Sequence, residues 1–189
     1  NQRQPSQSRL DLLKGNYEIF QKIVPQVTES GFDGIFIVAT NPVDIMTRIT
    51  CELSGFKSEK VIGTGTTLDT ARLRYLLGEY FEVDPRNIHA YVIGEHGDSE
   101  LPVWSSANVS GIDLYGFCKI SGVPDYQNQL DRMFMEVRTS AYKIIENKGA
   151  TYYAIAEAVL RIVDSIVRDQ DSILPVSTLV EGHYGLSDI

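Results

Sequence analysis

The chain contains few of the residues that build covalent or metal-based cross-links. Its 189 residues include only two cysteines, Cys51 and Cys118, which lie far apart and belong to no CxxC motif or His-rich segment. A disulfide framework or a structural zinc site needs more cysteine, or closely spaced cysteine and histidine ligands. We therefore expect two free thiols in a reducing compartment, no metal site and a cytoplasmic protein.

Long apolar runs and an excess of positive charge are also missing. No segment reaches the roughly 18 consecutive apolar residues that indicate a membrane-spanning helix. No basic start followed by an apolar run marks a secretory signal. The net charge is −8, with 25 acidic against 17 basic side chains. Binding to nucleic acid or to an anionic membrane needs clustered Lys and Arg, so we expect neither kind of partner.

The chain does contain an alternation of helical and strand patterns. Apolar residues at helical spacing predict a helix over 10–30, and the short apolar run at 34–39 is typical of a strand buried on both faces. A helix over about 43–53 and a buried strand at 61–63 follow. This order predicts an α/β unit with right-handed crossovers.

Polar residues follow the ends of these strands. Thr40 and Asn41 come after the first strand, and 64–66 come after the second. In open α/β sheets, ligands bind beyond the carboxyl ends of the strands, which places these residues near a binding crevice. The remaining predicted elements are helices at 67–81, 126–147 and 152–168 and strands at 87–93, 102–109 and 173–179.

His96 lies in a polar turn between Gly94 and Gly97. A single histidine is more often a structural hydrogen-bonding residue than a catalyst. A turn held by a rigid scaffold, however, is where catalytic groups concentrate. Imidazole is also the side chain suited to proton exchange near neutral pH.

Asp69 and Arg72 are three residues apart at the start of a predicted helix and so share one face. The simpler interpretation is an acid favoured by the helix dipole and a surface ion pair. The functional interpretation is a carboxylate that orients an imidazolium and a guanidinium that grips a substrate carboxylate.

Four sequence blocks give these residues a common context. They are ATNPVD at 39–44, IGTGTTLDTARLR at 62–74, GEHGDSELPVW at 94–104 and KGATYY at 148–153. Together they resemble the bacterial L-lactate dehydrogenases, over nearly the whole chain. The resemblance implies NAD-dependent hydride transfer between (S)-lactate and pyruvate.

The resemblance also implies a role for individual residues. His96 matches the acid/base, Asp69 its carboxylate partner, and Arg72 the residue that clamps the substrate carboxylate. Arg9 matches an arginine of a mobile loop that polarises the carbonyl. The other implied contacts are Asn41 and Thr151 toward substrate, and Val38, Thr40, Asn41 and Ile155 toward the cofactor.

The substrate loop leaves two registers open. Arg3 falls where lactate enzymes usually carry Gln, and an arginine there favours oxaloacetate, as in malate dehydrogenases. With one inserted residue, Gln2 fills that position instead. Thr151 and Glu95 favour lactate, because malate enzymes tend to carry smaller residues at both positions. A malate or other 2-hydroxy-acid dehydrogenase is therefore the alternative, and a non-catalytic, crystallin-like relative is a remote one.

Arg74 and His89 have a structural and a regulatory interpretation. They are either a helix-face arginine and a strand histidine, or the residues that in bacterial lactate enzymes line a fructose 1,6-bisphosphate site between subunits. The resemblance thus implies that this effector activates the enzyme. It also implies a homotetramer that acts in glycolysis and fermentation.

The glycine-rich dinucleotide fingerprint is absent, since no G-x-G-x-x-G follows a first strand. We therefore expect an internal segment of a larger α/β protein. Residues 1–63 would be the remainder of a Rossmann-type NAD-binding domain, and 64–189 an α+β substrate domain without its final elements. Alone, the segment should be inactive and fold poorly, because sheet edges are exposed.

Overall fold

The computed structural model describes residues 12–149, 151–180, 182 and 185. The loop positions Gln2, Arg3 and Arg9 lie outside the described residues. The chain divides into two units, of which one comprises 1–65 and 155–189 and the other 66–154.

The first unit is built on a strand–helix–strand motif. Helix α1 (Leu13–Glu29) precedes strand β1 (Phe36–Val38), helix α2 (Val43–Ser54) and strand β2 (Val61–Gly63). The two strands are parallel and in register, with Phe36 opposite Val61 and Val38 opposite Gly63. This arrangement confirms the α/β class, because parallel strands need a crossover such as α2.

Apolar side chains hold the first unit together. Val38, Val43, Met46 and Val61 form its buried cluster, and each is at most 4% exposed. Helix α2 ends at Gly55, whose φ of 67° is the left-handed conformation common at helix C-termini.

The predicted strand at 173–179 is wrong. Only Ser177 pairs, through one antiparallel bridge in which its N–H and C=O bond to the backbone of Gly63. Pro175 lacks an N–H, and Val176 donates its N–H to the nearby Leu174 carbonyl, so this segment cannot continue a ladder. A further helix, Tyr153–Val167, precedes this segment. It is named α6 because the α-helices of the second unit, described next, come before it in the chain.

In the second unit, helices pack against short antiparallel strands. Its elements are α3 (Thr67–Phe81), β3 (Ile88–His89), β4 (Val92–Ile93), β5 (Leu101–Pro102), β6 (Asn108–Val109), β7 (Ile112–Asp113), α4 (Leu114–Ile120) and α5 (Tyr126–Lys148). Strands β3, β6 and β7 form one sheet and β4 with β5 another. Leu73 and Leu77 of α3 lie in the core with Leu130 and Val137 of α5.

Two predicted strands of this unit are interrupted. The 87–93 segment divides at Ala90–Tyr91 into β3 and β4, which pair with different partners. The 102–109 segment is broken by a 3-10 turn at Trp104–Ser106, so that only its ends pair. Within the described residues, no helix is long and apolar enough to cross a membrane.

Candidate functional site

Asp69 is a buried carboxylate in the first turn of α3. Its side chain is 3% exposed, and both of its oxygens contact a basic side chain. The positive end of the helix dipole stabilises an acid at this position. Burial of a charge is otherwise costly, so Asp69 requires the partners described next.

His96 is the first partner. Its Nδ1 lies 2.6 Å from Oδ2 of Asp69, and the ring is 16% exposed. With the carboxylate ionised, Nδ1 carries the proton and donates to it, which fixes the tautomer and leaves Nε2 as the reactive ring atom. The pair thus has the arrangement of an acid/base histidine oriented by a carboxylate.

Two glycines shape the turn that holds His96. The turn joins β4 to β5, and Gly94 and Gly97 adopt φ values of 89° and 137°. Residues other than glycine rarely adopt these backbone conformations. The spacing of the glycines around His96 is therefore a backbone requirement of this turn.

Arg72 is the second partner of Asp69. Its Nη1 donates to Oδ1 across 3.4 Å, so Asp69 bridges the imidazole and the guanidinium. Burial lowers the pKa of Arg72, and the nearby carboxylates of Asp69 and Glu100 partly oppose that shift. Within the described residues, one long hydrogen bond engages one of the five guanidinium donors of Arg72, which suits the group to grip a second carboxylate.

Helix α3 is fastened to the strand that leads into the His96 turn. Oγ1 of Thr66 donates to the carbonyl of Val92 across 2.6 Å, and the Val92 N–H donates to Oγ1 of Thr70 across 2.9 Å. Both threonines are at most 4% exposed. They flank Asp69 in the sequence, so they set the position of the carboxylate relative to the strand that precedes His96.

Helix α5 holds the other side of the same turn. Arg138 donates to the carbonyl of Asp98, and the Tyr142 hydroxyl lies 3.0 and 3.1 Å from the two Asp98 carboxylate oxygens. The turn is therefore fixed at residues before and after His96, by two different helices.

Sequence reasoning missed Glu100. This residue is 3% exposed, and its carboxylate, that of Asp69 and the His96 ring each offer an atom within 4.8 Å of the others. Two carboxylates and an imidazole could hold a divalent cation, but Arg72 already brings a positive charge to Asp69. Glu100 is the last residue of the GEHGDSE turn, and an acid so close to an apolar strand was the available signal.

The remaining predicted residues of the second unit are spread out. Thr151 is half-buried and precedes α6. Arg74 donates Nε to the Ala90 carbonyl across 2.9 Å, and its guanidinium lies 4.8 Å from the centre of the Tyr91 ring. His89 is exposed on β3.

The predicted cofactor residues of the first unit lie where β1 ends. Val38 is the last residue of β1, and its carbonyl accepts a hydrogen bond from Thr64 N–H, just beyond β2. The Asn41 carbonyl accepts from the Asn16 amide across 2.7 Å, a contact that does not use the Asn41 side chain. Parallel strand ends with polar residues beyond them fit a dinucleotide ligand. Ile155, also predicted, is half-buried in α6.

Both parts of the chain match known families. Residues 1–63 match the family described as lactate/malate dehydrogenase, NAD binding domain. Residues 66–189 match the one described as lactate/malate dehydrogenase, alpha/beta C-terminal domain.

Curated relatives and solved structures agree with these matches. The chain is 52% identical over 186 residues to L-lactate dehydrogenase 1 of Peribacillus psychrosaccharolyticus, covering 98% of this chain and 58% of that protein. For L-lactate dehydrogenase 1 of Bacillus cereus the identity is 52% over 185 residues, with 98% and 59% covered. The structure of a minor L-lactate dehydrogenase from Enterococcus mundtii in a ligands-bound form superposes with a TM-score of 0.92 at 44% identity, covering all of this chain and 60% of that one.

The threonine contacts to Val92 generate a stability prediction. Thr70→Val keeps the shape of the side chain but leaves the buried Val92 N–H without its acceptor. We expect the free energy of unfolding of the full-length protein to fall by about 1–3 kcal/mol. Thr70→Ser, which retains the hydroxyl, should lose less. Denaturant unfolding measures the loss, and the Val92 amide should exchange its hydrogen faster. An unchanged exchange rate would mean that the Thr70 hydroxyl does not protect the Val92 amide.

Proposed function

The chain belongs to the lactate/malate dehydrogenase family, and from this we propose that the whole protein is an NAD-dependent L-lactate dehydrogenase. It would interconvert (S)-lactate and pyruvate. The chain spans about 58% of the length of the curated relatives, so the activity is proposed for the full-length protein. The observation that carries the proposal is the Asp69–His96 pair beside Arg72, which supplies a proton donor and a carboxylate-binding cation.

In pyruvate reduction, the guanidinium of Arg72 binds the substrate carboxylate and fixes the substrate orientation. His96 donates the Nε2 proton to the carbonyl oxygen as negative charge develops there. Asp69 stabilises the imidazolium before transfer and retains the ring orientation afterward. In lactate oxidation the neutral imidazole takes the hydroxyl proton. We assign Arg9, outside the described residues, to polarising the same carbonyl.

Val38, Thr40 and Asn41 would hold the nicotinamide end of NAD, with Ile155 against its ring. The cofactor supplies the hydride in reduction and accepts it in oxidation. The support for this assignment is the position of the first three residues at the carboxyl end of β1 and the family match of residues 1–63.

The choice of lactate over malate rests on Thr151, on Glu95 and on the names of the relatives, which are L-lactate dehydrogenases. The register of the loop bears on the same choice: Gln2 facing the substrate favours pyruvate, and Arg3 facing it favours oxaloacetate. An arginine pairs with the second carboxylate of oxaloacetate, whereas pyruvate has a methyl group there.

A homotetramer in the cytoplasm, working in glycolysis and fermentation, completes the proposal. Its support is the resemblance to bacterial lactate enzymes, together with two cysteines that are free thiols in the structure. Arg74 and His89 would form the effector site. The Ala90 contact engages Nε of Arg74, and the guanidinium carries two further amino groups that can donate to phosphate oxygens.

Substrate preference tests the function itself. The full-length protein should show a kcat/KM for pyruvate at least tenfold above that for oxaloacetate, measured with NADH at neutral pH. Replacing Arg3 by Gln should leave pyruvate turnover in place if Gln2 faces the substrate. A preference for oxaloacetate would make the protein a malate dehydrogenase.

His96→Gln tests the proton donor. Glutamine can still bond to Asp69 but cannot exchange a proton, so kcat should fall by a factor of about 10² to 10⁴. Binding of NADH, followed by its fluorescence, should change little and serves as the control. Turnover at the unmodified rate would remove His96 from the mechanism.

Fructose 1,6-bisphosphate should lower the pyruvate concentration at half-saturation of the full-length enzyme. Arg74→Gln should abolish this response because the phosphate loses a charged donor. The matched control is Arg132→Gln, which removes an exposed helix-face arginine of α5 and should respond as the unmodified enzyme does. A saturation curve insensitive to the effector would refute the regulatory assignment.

A further inference from the structure

We propose that Glu100 is a positioning residue of the proposed reaction, a second buried carboxylate that balances charge around the Asp69–His96–Arg72 cluster and so favours the protonated form of His96. This inference rests on the proposed dehydrogenase function.

Geometry places Glu100 inside the cluster. One of its carboxylate oxygens lies within 4.8 Å of ligand atoms of both Asp69 and His96, and the residue is 3% exposed. Its charge also acts on the guanidinium of Arg72. A charge at this distance and depth is screened much less than one on the surface.

Counting charges shows what Glu100 does. Asp69 and Glu100 contribute two negative charges and Arg72 one positive charge, so the cluster carries −1 when His96 is neutral. Protonation of His96 brings it to zero. Without Glu100 the same protonation would bring the cluster to +1. Before substrate binds, a second carboxylate therefore makes the protonated state of His96 the electrically balanced one.

A metal ion is the other occupant that this group of side chains could accept. The guanidinium of Arg72 lies against Asp69, and its positive charge opposes a divalent ion at the same carboxylate. The arginine thus already fills the role of the cation, and the described geometry favours a charge-balancing role for Glu100.

Other ionisable groups around the turn are more exposed. Glu95 and Asp98 are exposed members of the turn, and Arg138 and Tyr142 reach Asp98 from α5. Solvent screens their effect on His96, whereas Glu100 acts from the buried side. This difference gives the experiment its matched control.

The test is the pH profile of kcat/KM for pyruvate reduction by the full-length enzyme. Activity falls as His96 loses its proton, and Glu100→Gln should move the midpoint of that fall to lower pH by about two to three units, the Coulomb effect of one charge about 4.8 Å away in an effective dielectric of about 20. Glu95→Gln removes an exposed charge from the same turn and should move the midpoint by less than half as much. Glu100→Asp should recover most of the shift.

Several outcomes would overturn the proposal. A midpoint that stays in place in Glu100→Gln, with lower activity at every pH, gives Glu100 a packing role only. Equal shifts in Glu95→Gln and Glu100→Gln make the buried position irrelevant. Absence of pyruvate reduction in the unmodified enzyme is a separate result, because it refutes the proposed function rather than the role of Glu100.

Infrared spectroscopy of the unmodified enzyme provides a readout that needs no folded variant. The charge count requires both buried carboxylates to be ionised at neutral pH. A carbonyl band of a protonated, buried carboxylic acid that persists at neutral pH would contradict it. If the band is absent at neutral pH and appears only on acidification, the result supports two ionised carboxylates at neutral pH.

Discussion

A carboxylate that is almost completely removed from water must be neutralised by its neighbours, and Asp69 meets this requirement on three sides. One oxygen contacts the imidazole of His96, the other contacts the guanidinium of Arg72, and the first turn of α3 adds its dipole. Loss of either side-chain partner would leave the buried charge only partly compensated, which is more costly than loss of a surface ion pair. The position of His96 and Arg72 therefore follows from the energetics of burying Asp69.

The rest of the second unit keeps this carboxylate where its partners can reach it. Two buried threonine hydroxyls bind α3 to β4, and β4 leads directly into the turn that carries His96. Apolar contacts of Leu73 and Leu77 with α5 hold the opposite side of α3, and α5 in turn contacts the backbone of Asp98. The site is thus supported by a closed path from helix to strand to turn to helix.

Much of this could be predicted from the sequence, and the exceptions share a cause. Helices α1, α2, α3, α5 and α6 and strands β1 and β2 could be predicted from local sequence patterns, which depend only on neighbours in the chain. The interruption of the predicted strand at Ala90 and the single bridge at Ser177 depend on which distant segment offers a partner. Hydrophobic patterns carry no information about that choice.

The same division applies to the site. His96 and Asp69 stand out because of a glycine-bounded turn and a helix start, both local signals. Glu100 gives only one local signal, its place directly before an apolar strand, since its burial beside Asp69 results from tertiary packing of residues 31 positions apart. Likewise, nothing in the sequence of Thr66 and Thr70 indicates that both hydroxyls meet the backbone of Val92.

The eight residues from Thr66 to Leu73, at the start of α3, combine two hydroxyls that bond to β4, a buried carboxylate, the guanidinium that contacts it and a core side chain. Because each residue of an α-helix turns the chain by about 100°, one inserted residue after Thr70 would rotate Arg72 and Leu73 away from their partners together. This segment should therefore tolerate neither insertion nor deletion in the course of evolution. The exposed turn at 121–125, between α4 and α5, is where length can vary.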